Sequence, residues 1–247
     1  MNRKINSDIK VGCCGINYFT PKAIFGESWK DRFRSRIEAY GSLFKVLEID
    51  STFYALPSKR LVDNLARYSR DYNIEIILKA PRYITHIFRF NEKSYKYLDA
   101  IENASKAINS NKILFQTPES FHIKEENKER VEKLLERCRD DGFKPIFEPR
   151  GDWLEKIKET EEFCKGLAIL CTDPLRKVHE LDQEFNYFRL HGFGKTMMYN
   201  YRFSREELIR VIDIVKRYRS KSYVMFNNVY MYENAFEFIN LIKERLD

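Results

Sequence analysis

"VLEIDSTFYALPS" (46–58) starts as a buried apolar strand and then presents Glu48, Asp50, Ser51, Thr52 and Tyr54. A strand ending in carboxylates is either running out into solvent or delivering them to a site. The test is whether other strands end in the same way, and they do. Short apolar runs recur as "IKVGCCG" (9–15), "FKVLEID" (44–50), "IEIILKA" (74–80), "KILFQ" (112–116), "KPIFE" (144–148), "GLAILC" (166–171), "NYFRL" (186–190) and "SYVMF" (222–226). Helical spacing fills most of the gaps: Leu208, Ile212, Val215 and Tyr218 repeat on one face, as do Ala235, Phe238, Ile242 and Leu246. Ser58 and Ser204 stand where N-caps belong.

Strands rich in Val, Ile and Leu with helices between them pair in parallel, with both sheet faces covered. Eight such units in 247 residues predict a single (β/α)8 TIM barrel, one domain over 1–247. Only residues 172–185 separate the sixth and seventh strands, which leaves room for a short helix or none. The competing fold is a doubly wound open sheet, but no G-x-G-x-x-G follows a strand to support it.

Composition narrows the class. Apolar residues at 43% and charged residues at 33% fit a globular chain rather than a disordered one. Five cysteines without a C-x-x-C, and an N-terminus lacking an apolar leader, point to the cytoplasm and to reduced thiols. No run approaches the length of a membrane span, so a membrane partner is not expected. The net charge of +7 favours anionic partners, either a small anionic substrate or nucleic acid. Stretches such as "ENKERVEKLLERCRDD" alternate charge sign and read as solvated helix faces. Oligomeric state is not legible.

In a barrel, the C-terminal strand ends converge on one mouth where the chemistry lies. Here they carry Glu48 and Asp50, Lys79 and Arg82, Gln116, Glu148 and Arg150, Asp173, Arg189 and His191, and Asn227 with Asn228. The strand starts carry mainly single Lys or Asn residues, and this asymmetry favours a site. In "EIDSTFYALPS" (48–58), "KAPRYITH" (79–86), "LFQTPESF" (114–121), "FEPRGDW" (147–153), "FRLHGF" (188–193) and "FNNVYMYENA" (226–235) the chain resembles the YecE-like family, domain of unknown function number 72. The motifs run in order over nearly the whole chain, and the resemblance implies a TIM-barrel fold but no particular reaction. The family's turn after the first strand carries a Gly-Trp and a Tyr; in "CCGINYF" (13–19) Gly15 and Tyr18 fit it but the tryptophan is missing.

Strand alternation groups Glu48 with Val46 and Asp50, and Arg189 with His191. With these faces inward, Glu48, Lys79, Glu148, Arg189 and His191 share one small volume. They form either a catalytic set or a buried ion-pair network. The expected chemistry is acid/base catalysis by an enzyme of hydrolase, isomerase or lyase type, with Glu148 and His191 moving protons and Glu48 and Lys79 beside them. Arg82, Arg150 and Arg189 neutralise substrate charge, while His86, Gln116, Asn227, Asn228 and Tyr54 orient the substrate. "HGFGK" (191–195) suits a phosphate, with Gly192, Gly194 and Lys195 supplying backbone N–H groups and charge. The substrate is therefore expected to be phosphorylated or nucleotide-like, the alternative being a nucleic-acid binding or processing protein.

Other readings are weaker. A metal held by Glu48, Glu148, Asp173 and His191 is not favoured, since no metal-binding signature is present. A glycosidase pair of Glu48 and Glu148 places its carboxylates nearly across the barrel. Phe53, Tyr54, Phe121, Trp153, Phe193 and Tyr199 are candidates to stack a sugar or base. His122 and His179 read as surface residues. Cys13 and Cys14 should point to opposite faces of the first strand and pack in the core. Glu148→Gln and His191→Asn are expected to leave the fold largely intact.

Overall fold

The computed structural model describes residues 9–245, so Leu246 and the N-terminal residues before Ile9 lie outside the described residues. Eight parallel strands close into a barrel in sequential order: β1 (Ile9–Cys14), β2 (Val46–Ile49), β3 (Glu75–Lys79), β4 (Lys112–Gln116), β5 (Lys144–Glu148), β6 (Ile169–Thr172), β7 (Asn186–Leu190) and β8 (Ser222–Phe226), with β8 pairing back to β1. The order excludes the open sheet. Alternation sorts each strand into two faces. Val46, Ile77, Leu114, Ile146, Ile169 and Met225 fill the barrel interior, while Leu47, Leu78, Phe115, Phe147, Leu170 and Val224 pack outward under the helices. Cys13 and Cys14 divide in this way, Cys13 in the outer layer and Cys14 in the interior. Closure is tight at Gly12, where a Cβ would lie 2.2 Å from the Val46 carbonyl oxygen of the neighbouring strand.

The helices start where the sequence places caps. Ser58 accepts from Leu61 N at the head of helix Lys59–Tyr72. Ser204 and Glu207 cap each other's backbone in a reciprocal box at the head of helix Arg205–Val215. Between β6 and β7 there is no helix. In its place the Gln183 side-chain amide brackets β6, accepting from Leu170 N at 2.9 Å and donating to Leu170 O at 3.2 Å. This amide stands in for a neighbouring peptide group.

One expectation is corrected. His179 is not a surface residue: it is buried, stacked on Phe188 with the Tyr218 ring tilted against it, and neither ring nitrogen has a hydrogen-bond partner. Burial holds its pKa down at about 4. At the strand starts Glu75 binds Lys10 and Lys112, each at 2.7 Å, and accepts from Tyr223 at 3.0 Å, so an ion cluster stands at the N-terminal end of the barrel.

Candidate functional site at the barrel mouth

Arg189 organises the mouth. Its side chain projects from β7 into the barrel and is completely buried. Nη1 donates to Glu148 Oε2 at 2.5 Å, while Nη2 donates to Glu48 Oε1 at 2.6 Å and to Asp50 Oδ1 at 3.2 Å. Tyr187, two residues earlier on the same strand face, donates to the second Glu48 oxygen at 2.6 Å. A buried charge requires this degree of pairing, and every partner is charged or hydrogen-bonded. Glu48 from β2 and Glu148 from β5 thus share a single guanidinium, as their expected place in one small volume requires.

The three carboxylates are not equivalent. Burial pushes Glu48 up, against the pull of Arg189, and the anion and hydrogen bond of Asp50 push it further. Asp50 is held below the usual carboxylate range, because Arg189 and Lys79, whose Nζ lies 3.7 Å from Oδ1, together overcome the cost of its burial. Glu48 therefore keeps the proton of this pair, and Asp50, the more exposed of the two, carries the charge. Glu148 is also buried, yet Arg189, Arg150 and Lys79 hold it down at about 2.

His191 is fully buried above Arg189. Its Nε2 faces Arg150 Nη2 at 2.9 Å, Arg189 Nη1 at 3.3 Å and Glu148 Oε1 at 3.2 Å. Burial lowers its pKa, so the ring is neutral. With two guanidinium donors aimed at it, Nε2 accepts and the proton sits on Nδ1. Nδ1 has no hydrogen-bond partner, since Asp173 Oδ2, at 3.8 Å, instead accepts from the His191 backbone N–H at 3.2 Å.

Above this layer opens a pocket of about 290 Å3. Lys79, His86, Gln116, Arg150, Tyr54 and Tyr199 are among its lining residues. Lys79 lies 4.7 Å over the Phe53 ring, and His86 meets the same ring edge-on at 4.9 Å. His86 projects from a π-helical turn, Tyr83–Ile87, a geometry common at functional sites. Its Nδ1 is within 2.8 Å of Thr85 Oγ1, and burial together with Lys79, Arg82 and Arg89 lowers its pKa to about 4. Arg150 bonds Glu148 at 2.6 Å while its backbone N–H donates to Thr117. Larger clefts lie elsewhere: one of about 450 Å3 between Phe90–Tyr95 and Arg130 shares no lining residue with the mouth pocket.

The remaining sequence candidates fall outside this pocket's lining. Arg82 and Lys195 are exposed. The Asn228 amide is occupied by Tyr201 O at 2.7 Å and Asn234 at 3.0 Å, and Asn227 N donates to Leu190 O. The loop bearing Gly192 and Gly194 folds onto itself. Gly194 N donates to Met198 O, Arg176 donates to Gly192 O, and a Cβ on Gly194 would lie 2.1 Å from Met197 O. These glycines serve close backbone approach rather than an open anion cradle. Phe121 and Trp153 are buried core residues, Trp153 donating to Phe121 O. His122, exposed, faces Asp152 at 3.3 Å.

The sequence reading missed Tyr187 and Thr117. Tyr187 had a signal, the period-two spacing from Arg189. Among the described residues, Cys14, Glu48 and Asp50 bring potential ligand atoms within 4.8 Å of one another. Arg189 already supplies a cation against both carboxylates there, and Cys14 is pushed well above the thiol range, so the set does not fit a metal.

An eight-stranded parallel barrel with a buried ionic layer below its C-terminal mouth defines a TIM-barrel protein of the kind that hosts enzyme sites. The chain belongs to the family described as "Protein of unknown function DUF72", whose profile matches residues 10–247. No protein of curated function matches it. Among solved structures it is similar to a DUF72 family protein from Thermotoga maritima MSB8, at 23% identity over 95% of this chain and 99% of that one, with a TM-score of 0.69. A DUF72 family protein from Enterococcus faecalis V583 gives 16% identity over 95% of each chain and a TM-score of 0.74. A D-tagatose 3-epimerase-like protein gives 14% identity over 96% of this chain and 100% of that one, with a TM-score of 0.64. At these identities the likeness is one of fold. Among the described residues, no helix is long and apolar enough to cross a membrane.

Proposed function

We propose that this chain is an enzyme that binds a small anionic substrate, phosphorylated or nucleotide-like, in the mouth pocket and moves a proton there, in a reaction of hydrolase, isomerase or lyase type. The observation that carries the reading is the opposite displacement of two carboxylates sharing one guanidinium, Glu48 upward and Glu148 downward. Pairs pushed apart in this way separate a proton donor from a permanent anion. In this proposal the acid/base role belongs to Glu48 acting through Asp50, which is partly exposed and pairs with Lys79 of the pocket lining. Glu148 is too strongly paired to take a proton, and the Nε2 lone pair of His191 is engaged by arginines, so these two set the charge and position of Arg150 and Arg189.

Lys79 and Arg150 neutralise the substrate anion, with Gln116, His86 and Tyr54 orienting it. Arg82, Lys195, Gly192, Gly194, Asn227 and Asn228 have no part in the pocket under this reading. The five buried free thiols accord with a cytoplasmic setting.

The test is calorimetric titration with inorganic phosphate and with a panel of sugar phosphates and nucleoside monophosphates, followed by turnover assays on any compound that binds. Binding should fall at least about tenfold in Arg150→Ala and in Lys79→Met, from loss of a charge-assisted contact. Asp50→Asn should bind but lose about a hundredfold in turnover. If no anion binds, or if these variants bind as the wild type does, the proposal is wrong.

A further inference from the structure

Among the described residues, ten of the eleven large apolar side chains left exposed lie on the C-terminal loops after five strands, β7, β8, β1, β2 and β3. Because β8 pairs with β1, these five loops are consecutive around the rim. Half of the ten are tyrosines: Tyr18, Tyr54, Tyr83, Tyr199 and Tyr230. Tyr18 is 85% exposed and Tyr54 70%, so their ring faces stand in water. The loops after β4, β5 and β6 contribute only Val178.

Charge divides along the same line. The five loops (191–204, 227–230, 15–35, 50–58 and 80–94) hold nine Lys and Arg against four Asp and Glu. The three loops after β4, β5 and β6 (117–124, 149–156 and 173–185) hold five Lys and Arg against seven Asp and Glu. The rim is thus a basic, tyrosine-bearing arc facing an acidic, largely polar one. The arc is continuous with the mouth pocket, for Phe53, Tyr54, His86, Met198 and Tyr199 belong to both, and Lys79 and Arg150 also line it.

A ligand that fits must supply flat apolar faces and anionic groups in alternation. We infer that the basic tyrosine arc binds single-stranded nucleic acid, its bases stacking on the rim tyrosines while a backbone or terminal phosphate enters the pocket between Lys79 and Arg150. Stacking on an exposed aromatic ring tolerates any base, and the positive loops attract the backbone. A duplex fits less well, because its bases are already stacked on one another and a cavity of about 290 Å3 excludes its width. Tyr83 is prepared for the role, its ring lying parallel to Tyr97 at 4.7 Å and 5°, so that a base on its outer face would extend an existing stack. The inference rests on the anion-binding reading of the pocket and names the molecule that carries the anion.

The experiment is fluorescence anisotropy of the full chain with labelled oligothymidylate and oligouridylate, which separate a DNA from an RNA source, and with a duplex of equal length. Inorganic phosphate and a nucleoside monophosphate are titrated in parallel by calorimetry. Both single strands, or one of them, should bind more tightly than the duplex, and affinity should fall between about 50 and 200 mM salt. Tyr18→Ala, Tyr54→Ala and Tyr230→Ala, all at exposed positions, should each weaken binding at least about fivefold at constant salt. Oligonucleotide binding that ignores all three tyrosines, or that prefers the duplex, overturns the inference. So does binding to phosphatidylserine vesicles that the same variants abolish while oligonucleotide binding is unaffected. Retained phosphate or mononucleotide binding without any oligonucleotide binding overturns this inference alone, whereas loss of all of these overturns the pocket reading with it.

Discussion

Arg189 and Glu148 are joined at 2.5 Å with both side chains out of solvent, and the stability of the mouth follows from that bond. Replacing Arg189 with Met leaves the Glu148 anion buried without the Arg189 counter-charge and the protonated Glu48 without its guanidinium donor, at a cost of about 3–5 kcal/mol. Adding Glu48→Gln and Glu148→Gln to Arg189→Met should recover much of that loss, because the unpaired Glu148 charge is then removed and neither position can ionise. Urea unfolding of the single and triple variants measures both effects. A single variant as stable as the wild type would mean that the layer is hydrated rather than buried.

Glu148→Gln is also expected to destabilise, contrary to the sequence reading that it leaves the fold largely intact. Arg189 and Arg150 both bond its oxygens, and an amide can accept from only one side. We expect a loss of about 2–4 kcal/mol in chemical unfolding. His191→Asn, whose ring gives up one accepting nitrogen, should cost less than Glu148→Gln.

Infrared spectroscopy tests the proton that burial assigns to Glu48. An infrared band of a protonated carboxyl should persist near neutral pH and disappear in Glu48→Gln. In Asp50→Asn it should titrate at lower pH, because the anion that raises Glu48 is gone. A second such band should vanish in Glu102→Gln, since burial and the acid of Asp141 raise Glu102 to about 7. A Glu48 difference band that is unchanged by Asp50→Asn would separate the two carboxylates.

Much of this was legible in the sequence. Each of the eight apolar runs became a strand, and the polar strand ends converged, because burial on both faces of a parallel sheet leaves an unbroken apolar signature. Side-chain partners across the barrel left no such trace. Nothing in "NYFRL" says that Arg189 reaches both β2 and β5, since that depends on the curvature of the closed sheet. Gly192 and Gly194 were misread for a related reason. A glycine that admits a phosphate and one that admits its own chain have the same sequence, and only the Met197 carbonyl beside Gly194 distinguishes them. His179 looked like a surface residue because the segment between β6 and β7 has no helical or strand periodicity to mark which side chains it buries, and that helix-free segment buries this one.

Glu102 and His179 give the stability curve opposite slopes. Glu102 binds its proton more tightly folded than unfolded, so stability falls as pH rises from the ordinary carboxylate range to about 7. Glu102 Oε1 is buried without a partner, and Glu102→Gln should add about 1–3 kcal/mol at pH above that window and little below it. His179 binds its proton more weakly folded, so its contribution is complete above the ordinary imidazole range and is lost as pH falls toward about 4. His179→Leu should flatten this acid limb. Thermal melts across pH for the two variants should show these separate windows, and an unchanged profile in either would remove its group from the account.

The anion, finally, is expected to choose between two places. Lys195 is exposed on a loop whose Gly194 N–H is already bonded to Met198 O, so the loop has that donor less to offer and a charge largely in water, worth little. Lys79 and Arg150 converge on a recess whose other walls include Gln116, Thr117, His86 and Glu119, and the lower local dielectric strengthens each contact there. Phosphate or sulfate soaked into crystals should therefore occupy the recess. Lys195→Ala should leave phosphate affinity within about twofold of wild type, whereas Arg150→Ala should weaken it at least about tenfold. Calorimetry on the two variants distinguishes the places, and a larger loss in Lys195→Ala than in Arg150→Ala would return the anion site to the loop after β7.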